Sequence, residues 1–230
     1  NGTQYAQGVN SSDFIDLIMV DRFSNGDPGN DRVRGMKDQS LDRSQMYDRH
    51  GGDLQGVINN LDYLQGLGVT TLWFTPIMEN DMLNRTEHGY SITDHYKIDA
   101  RYGGDDLYKK LSDQLHQRGM KLIFDAVYNH FGLYHFLEQD KPDNDWVHRW
   151  STYTQTNYIE QTHFDPYAAK SNQKRMSNGW FDNIMTDINN DNPYMANYLI
   201  QNCIWHIETF GIDGIRLDTY TYNDLNFANR

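Results

Sequence analysis

Apolar residues along the chain fall into short continuous runs separated by stretches of helical spacing. Phe14-Ile15-Asp16-Leu17-Ile18-Met19-Val20 is a run of strand length that closes at Asp21-Arg22-Phe23, and it reads as a buried strand. From Leu54 the apolar positions are Leu54, Val57, Ile58, Leu61, Leu64 and Leu67, a helical period stopped at Gly66-Leu67-Gly68. A second strand, Val69–Phe74, follows and is closed by Pro76. The pattern recurs: a helix over Asp105–Arg118 with Leu107, Leu111 and Leu115 on one face, Gly119, then a strand over Met120–Asp125. It recurs again as a helix over Pro193–Phe210, Gly211, and a strand over Ile212–Leu217. Helix, glycine, strand, three times over, predicts an α/β fold of parallel β/α units. Residues 131–190 have no strong period and are too long for an ordinary connection. The predicted organisation is a linker over 1–12, a first β/α part over 13–130, an inserted subdomain over 131–190, and the β/α part continued over 191–230.

Composition narrows the function classes. The 230 residues carry 20 Lys+Arg against 32 Asp+Glu, a net charge of −12, which argues against a nucleic-acid partner because phosphate contacts need clustered cations. No apolar run approaches the roughly 20 residues of a membrane span. No basic-then-apolar leader pattern occurs at Asn1–Tyr5. The compartment stays open, with an extracytoplasmic (periplasmic or secreted) setting favoured. Cys203 is the one cysteine; it cannot form an internal disulfide and is read as a buried helix residue. The 16 Tyr, 10 Phe and 5 Trp offer flat faces of the kind that suit sugar rings. Trp146, Trp150, Trp180 and Phe181 form either a stacking wall or the core of the inserted region. No Gly-rich dinucleotide fingerprint follows any predicted strand.

In parallel β/α folds chemistry sits at the carboxyl ends of the strands. Those ends carry Asp21, Pro76, Asp125 and Asp218. Each aspartate alone has a plain reading as a loop cap. Arg216 and Asp218, two apart on a strand, point to one face. An Asp125 on the neighbouring strand end would hold Arg216 by a charge-assisted pair, and the guanidinium would keep Asp218 ionised. A buried structural ion pair competes with that reading, and spacing does not choose between them. Asn25, Asp27, Asn30 and Asp31 place four oxygen side chains in seven residues, with Gly51-Gly52-Asp53 later. That is either a turn or part of a hard-cation site. It is no EF-hand, since the closing glutamate is missing.

Taken together, several segments resemble the α-amylase family of glycoside hydrolases. Asp125-x-x-x-Asn129-His130 is similar to the family's third-strand motif, and Gly214-x-Arg216-x-Asp218 to its fourth-strand motif. Gly68–Pro76 resembles the second-strand motif, and His88-Gly89-Tyr90, Asp94–Asp99 and Tyr102-Gly103-Gly104 resemble the loop before the second helix. The resemblance implies a (β/α)8 TIM-barrel type with only about the first four β/α units present and a small inserted subdomain after the third strand. It implies a retaining glycoside hydrolase acting on α-1,4-glucans, cyclodextrins or pullulan. Asp218 would be the nucleophile and Arg216 its orienting partner. His130 would bind a sugar hydroxyl, Tyr90 would stack on the sugar (core packing being its alternative), His88 would line the site, and Asp125 would support Arg216. Tyr220 and Tyr222 after Asp218, and Met185–Asn189, place the likeness nearest the cyclomaltodextrinase and neopullulanase subgroup. That subgroup's loop implies a structural calcium held by Asn25, Asp27, Asn30, Asp31, the Gly51 carbonyl and Asp53. Asn129 resembles a ligand of another calcium site of the family.

The family's general acid is a glutamate ending the fifth strand, and a further aspartate follows the seventh. The chain stops at Arg230, soon after its fourth strand, and Glu138, Glu160 and Glu208 lie on the wrong elements. The expectation is that this stretch alone does not turn over substrate. Two rival functions remain open: a non-catalytic relative that binds carbohydrate or a protein, and an α-glucan transglycosylase. The α-glucan oligosaccharide or cyclodextrin is the expected partner, and exposed sheet edges invite self-association. Of the other histidines, His116 is expected to face solvent and His206 to be packed, while His135, His148 and His163 fall in the inserted region.

Overall fold

The computed structural model describes residues 6–230. The predicted linker over 1–12 thus falls partly outside the described residues; within it, the Gln7 amide donates to Asp213 Oδ1 at 2.8 Å. The elements in chain order are β1 (Ile15–Ile18), α1 (Val20–Phe23), α2 (Leu54–Asn59), α3 (Leu61–Gly66), β2 (Thr71–Phe74), β3 (Met78–Glu79), β4 (Asp94–Ile98) and α4 (Gly104–Gln117). Then follow β5 (Lys121–Ala126), β6 (His130–Gly132), α5 (Phe136–Gln139), α6 (Lys170–Asn178), β7 (Met185–Asp187), α7 (Pro193–Phe210), β8 (Gly214–Leu217) and α8 (Leu225–Ala228).

A four-stranded sheet runs β1-β2-β5-β8, with every pair parallel. This is the predicted set of four strands in chain order, an open section of a β/α barrel. Ile18, Leu72, Phe74, Leu122, Phe124 and Ala126 are buried on the helix-facing side. Leu54, Val57, Leu61, Leu64, Leu111, Leu115 and Leu199 come from the helices to meet them, the stripes that helical spacing selects. Helices α4 and α7 are joined by the Tyr108–Phe210 ring pair at 4.8 Å and by Ser112 Oγ donating to the Phe210 carbonyl at 2.5 Å.

Four local expectations change. The first strand, expected to be buried, is largely open: Phe14, Ile15 and Leu17 are exposed and only Ile18 of β1 is buried. The helix read over 54–67 is two helices, because Asn60 Nδ2 donates to the Gly56 carbonyl at 2.7 Å and interrupts the ladder; Leu67 ends up exposed. His116 does not face free solvent: its Nε2 lies 2.8 Å from Asp213 Oδ2. Cys203 is only half-buried, on the flank of α7. His206 is packed as expected, stacked on Phe124 at 3.8 Å between centroids.

The region after β5 is stitched to the barrel at both ends. β6 pairs antiparallel with β7, His130 opposite Asp187 and Gly132 opposite Met185. Inside this region Trp150 Nε1 donates to the Asn178 carbonyl at 2.8 Å and Trp180 Nε1 to the His148 carbonyl at 2.9 Å. Both indoles therefore serve the region's own packing. Beneath it runs a histidine chain. His95 Nε2 meets the Val127 carbonyl at 3.2 Å, which can only accept, so this nitrogen carries the proton. His95 Nδ1 then accepts from His135 Nε2 at 3.0 Å, and His135 Nδ1 accepts from the Leu137 amide at 3.1 Å. The chain is complete with both rings neutral.

Candidate active site

The β5–β8 register puts Asp125 directly opposite Arg216, and the strand pleat sends both side chains to the same face. Arg216 Nη1 lies 3.0 Å from Asp125 Oδ1, 3.2 Å from Asp125 Oδ2 and 2.5 Å from Asp218 Oδ1. One nitrogen thus joins both carboxylates. Asp125 Oδ2 also accepts from Trp73 Nε1 at 2.9 Å and from the Tyr90 hydroxyl at 3.3 Å. The guanidinium lies over the Trp73 ring, 5.2 Å from its centroid. Burial pushes the Asp125 carboxyl up to about 6, against the pull of Trp73 and Arg216. Burial likewise raises the Tyr90 phenol, with the Asp125 charge adding to it, so Tyr90 stays a neutral donor.

Tyr90 and His88 sit on the loop between β3 and β4. The Tyr90 amide donates to His88 Nδ1 at 2.9 Å, and the two rings stack at 5.9 Å. Gly89 between them has φ +87°, and a Cβ there would lie 1.9 Å from the Pro76 carbonyl oxygen. Only glycine lets this loop lie against the end of β2. His130, on β6, is buried and held neutral: burial lowers it to about 4. Its Nδ1 is 3.4 Å from Asn129 Nδ2, a donor, so Nε2 carries the proton. That Nε2–H has no partner in full hydrogen-bond geometry, the Tyr90 carbonyl being the acceptor it faces. The His130 ring stacks on Phe181 at 5.5 Å, and Phe181 in turn meets Tyr222 at 5.7 Å and Tyr158 at 5.4 Å. The residue after Asp218, Thr219, has φ +46°, a left-handed conformation costly for a β-branched side chain.

The structure therefore brings Asp125, Arg216, Asp218, Tyr90, His88 and His130 to one end of the sheet. Asp21 does not join them. Its buried carboxylate accepts from the His50 amide at 2.9 Å and pairs with Arg22 at 3.0 Å, so it is a loop anchor. None of Glu138, Glu160 and Glu208 lies on a strand of the sheet. The sequence pattern marks Trp73 only as a strand residue. Its place beside Asp125 follows from the Trp73–Ile123 register, two residues short of Asp125. The Tyr158 and Phe181 contacts with Tyr222 carry no signal in spacing, because they join residues far apart in the chain.

The expected calcium ligands are brought together only in part. Asn25 Nδ2 donates to Asp31 Oδ1 at 2.7 Å. Gly51 packs on both: a Cβ there would lie 2.4 Å from Asp31 Oδ1 and 2.9 Å from Asn25 Nδ2. Asn25 Oδ1 and Asn30 Oδ1 are buried acceptors with no donor. Burial raises the Asp31 carboxyl, and the Asp53 charge adds to the effect. Asp53 is already engaged, accepting from Gly56 N at 2.6 Å and Asp27 N at 2.8 Å, and Asp27 Oδ1 holds Gly29 N at 2.9 Å. Among the described residues no three His, Cys, Asp or Glu side chains group closely enough to hold a metal by themselves. The orphaned amide oxygens and the glycine cradle nevertheless fit an oxygen-seeking cation that draws on amides and backbone.

A parallel β/α sheet with an Arg-bridged carboxylate pair at its carboxyl end defines a barrel-type enzyme scaffold with its polar site at the strand ends. The sequence profile for "Alpha amylase, catalytic domain" matches residues 17–228, and the chain belongs to the α-amylase catalytic-domain family. It is 34% identical over 224 residues to the "Beta/alpha-amylase" of Paenibacillus polymyxa, covering 94% of this chain and 17% of that protein. It is 35% identical over 219 residues to "Neopullulanase 2" of Thermoactinomyces vulgaris, covering 91% of this chain and 34% of that protein. An Anoxybacillus α-amylase crystal structure superposes with a TM-score of 0.78 at 36% identity, covering 94% of this chain and 42% of that one. The chain thus spans 17% and 34% of the length of these two curated relatives.

Proposed function

We propose that this chain supplies the nucleophile side of a retaining glycoside hydrolase site acting on α-glucans, with α-1,4-glucans, cyclodextrins or pullulan as substrates. The carrying observation is the Arg216 bridge between Asp125 and Asp218 beside the His130 Nε2–H, which is without a partner in full hydrogen-bond geometry. The name of the Thermoactinomyces relative supports the pullulan part of the range.

In this reading Asp218 attacks the anomeric carbon, forming a carbon–oxygen bond as the glycosidic oxygen leaves with a proton from a separate acid. Arg216 keeps the attacking carboxylate oriented. His130 Nε2–H donates to a ring hydroxyl, and Tyr90, fixed by Asp125, presents its face to the sugar. His88 Nε2, free of the Tyr90 amide, is the second donor on that wall. The loop over 25–31 would hold a structural calcium through Asp31, Asn25, Asn30 and the Gly51 carbonyl, with Asp27 and Asp53 shaping the loop. The ion would add positive charge beside the Asp31 carboxylate, on which Arg43 and Arg32 act only in part against burial.

The test is covalent trapping with a 5-fluoro-α-glucosyl fluoride, whose leaving group needs no acid. Peptide mass spectrometry should find the glycosyl group on Asp218, and the Asp218→Asn chain should remain unlabelled. Labelling elsewhere, or none at all, removes the proposal.

A further inference from the structure

In the inserted region, residues 149–154 and Trp180 enclose an open hollow of about 250 Å³ whose lining includes Arg149, Trp150, Ser151, Thr152 and Tyr153. The two indoles spend their N–H edges inside the protein, Trp150 on the Asn178 carbonyl at 2.8 Å and Trp180 on the His148 carbonyl at 2.9 Å. What they leave to a ligand is ring surface, and both side chains stay partly open to solvent. A cation steadies each ring: the Arg149 guanidinium lies 5.4 Å from the Trp180 centroid and the Lys174 ammonium 5.3 Å from that of Trp150. Tyr153 is 52% exposed. Its ring meets that of Trp180 with centroids 6.1 Å apart and planes at 78°, so the pair forms an angled corner in the hollow instead of a closed stack.

These features select a ligand. Aromatic faces whose polar edges are already satisfied suit the C–H face of a sugar ring, and the exposed Ser151 and Thr152 hydroxyls beside them suit its hydroxyls, since each can donate and accept. Arg149 is paired with Glu138, so the Trp180 side of the hollow carries no surplus charge and favours a neutral ligand over an anion. The volume lies below the roughly 300–1,000 Å³ of sites that enclose a small molecule. It therefore takes one stretch of a longer chain and leaves the remainder in solvent. The hollow is also linked to the wall of the candidate active site. Gln155 forms a bridge with Trp180, while its Nε2 donates to the Phe181 carbonyl at 3.3 Å and to the Tyr158 hydroxyl at 2.7 Å. Phe181 in turn stacks on His130. Trp180 and Phe181, adjacent in the chain, thus serve two different surfaces. We propose that the hollow at Trp150, Tyr153 and Trp180 is a second carbohydrate-binding site, which takes a stretch of α-glucan by ring stacking outside the groove of Asp218. The ligand class rests on the α-glucan reading above; the place does not. A glucan held there stays near the groove between encounters, which raises its effective concentration at Asp218.

The test is titration of the chain with maltoheptaose, followed by NMR through isotope-labelled indole N–H signals. Each tryptophan reports its own place: Trp150 and Trp180 the hollow, and Trp73, bonded to Asp125, the groove. The Trp150 and Trp180 signals should move together, with one dissociation constant, at sugar concentrations up to about 10 mM, ten times a millimolar constant. Tyr153→Ala should weaken both responses by about tenfold, the loss of one aromatic anchor. Tyr153→Phe, which keeps the ring, should retain them. Because Tyr153 is exposed, its removal leaves the core alone, and an unchanged Trp73 signal in the sugar-free variant confirms the fold. Movement of Trp150 and Trp180 with Trp73 still upholds the second site and counts against the groove. Movement of Trp73 alone upholds the groove and overturns the second site. Equal affinity in Tyr153→Ala overturns it too, as does a response to dextran sulfate but not to maltoheptaose, which would make the hollow an anion site.

Discussion

Arg216 Nη1 lies 2.5 Å from Asp218 Oδ1 while the same atom holds Asp125 Oδ1 at 3.0 Å. A rigid planar cation between two acids does something an ammonium cannot, because its other nitrogens stay in the plane that Trp73 supports. Arg216→Lys should keep the charge and lose the shared geometry. Trapping at Asp218 should slow by about 10²-fold. Arg216→Met should also destabilise the fold, on the order of 2 kcal/mol, less than for a fully buried pair because Arg216 is a third open to solvent. Urea midpoints and labelling rates check both.

His130→Phe should move stability and binding in opposite directions. The substitution keeps a ring against Phe181 and removes a buried N–H without a partner in full hydrogen-bond geometry, so the urea midpoint should hold or rise. Affinity for a maltooligosaccharide should fall by about tenfold, the worth of one hydrogen bond. Calorimetry on the two chains measures it.

Acid should weaken the fold well above the pH where carboxylates titrate. Burial lowers His88, His95 and His130 to about 4 and His206 to about 3. Between about 6.5 and 4 the unfolded chain binds protons that the folded chain refuses, so stability is full above 6.5 and falls as the pH drops through this window. Asp125, raised to about 6, runs the other way: its protonated form favours the fold as pH falls, a partial offset. The net fall between pH 7 and pH 5 should be a few kcal/mol, read from urea midpoints. His95→Gln should flatten the slope.

Gly89→Ala and Gly35→Ala form a matched pair. Both glycines have positive φ, +87° and +97°, but only a Cβ at 89 meets backbone, the Pro76 carbonyl oxygen at 1.9 Å. Gly35→Ala should cost about 1–2 kcal/mol of conformational strain. Gly89→Ala should cost more and shift Tyr90, seen as a larger drop in melting temperature together with weaker sugar binding.

The parallel sheet was legible because each unit repeats the same order, and because glycine at 119 and 211 closes each helix before its strand. The meeting of Asp125 with Arg216 was legible because strand pleating and parallel register leave one arrangement. The break at Asn60 was not, since a side-chain bond to the Gly56 carbonyl competes with apolar periodicity that runs straight through it. Nor was the pairing of His116 with Asp213, which joins residues 97 apart across the sheet's lower edge. In the 25–31 loop spacing left a turn and a cation site equally open, and it gave no sign that Asp53 spends its carboxylate on three backbone amides.

The antiparallel clip between β6 and β7 has an evolutionary corollary. His130 is paired with β7, and the start of the excursion is tied to the core by His135 and Leu137, so the exchangeable part is the stretch 149–181, whose Phe181 stacks on His130. Exchange of that stretch between relatives would redraw the outer walls of the groove, through Tyr158 and Phe181, and leave the Arg216 bridge untouched. Diversification of sugar preference on this scaffold has a route that bypasses its chemistry.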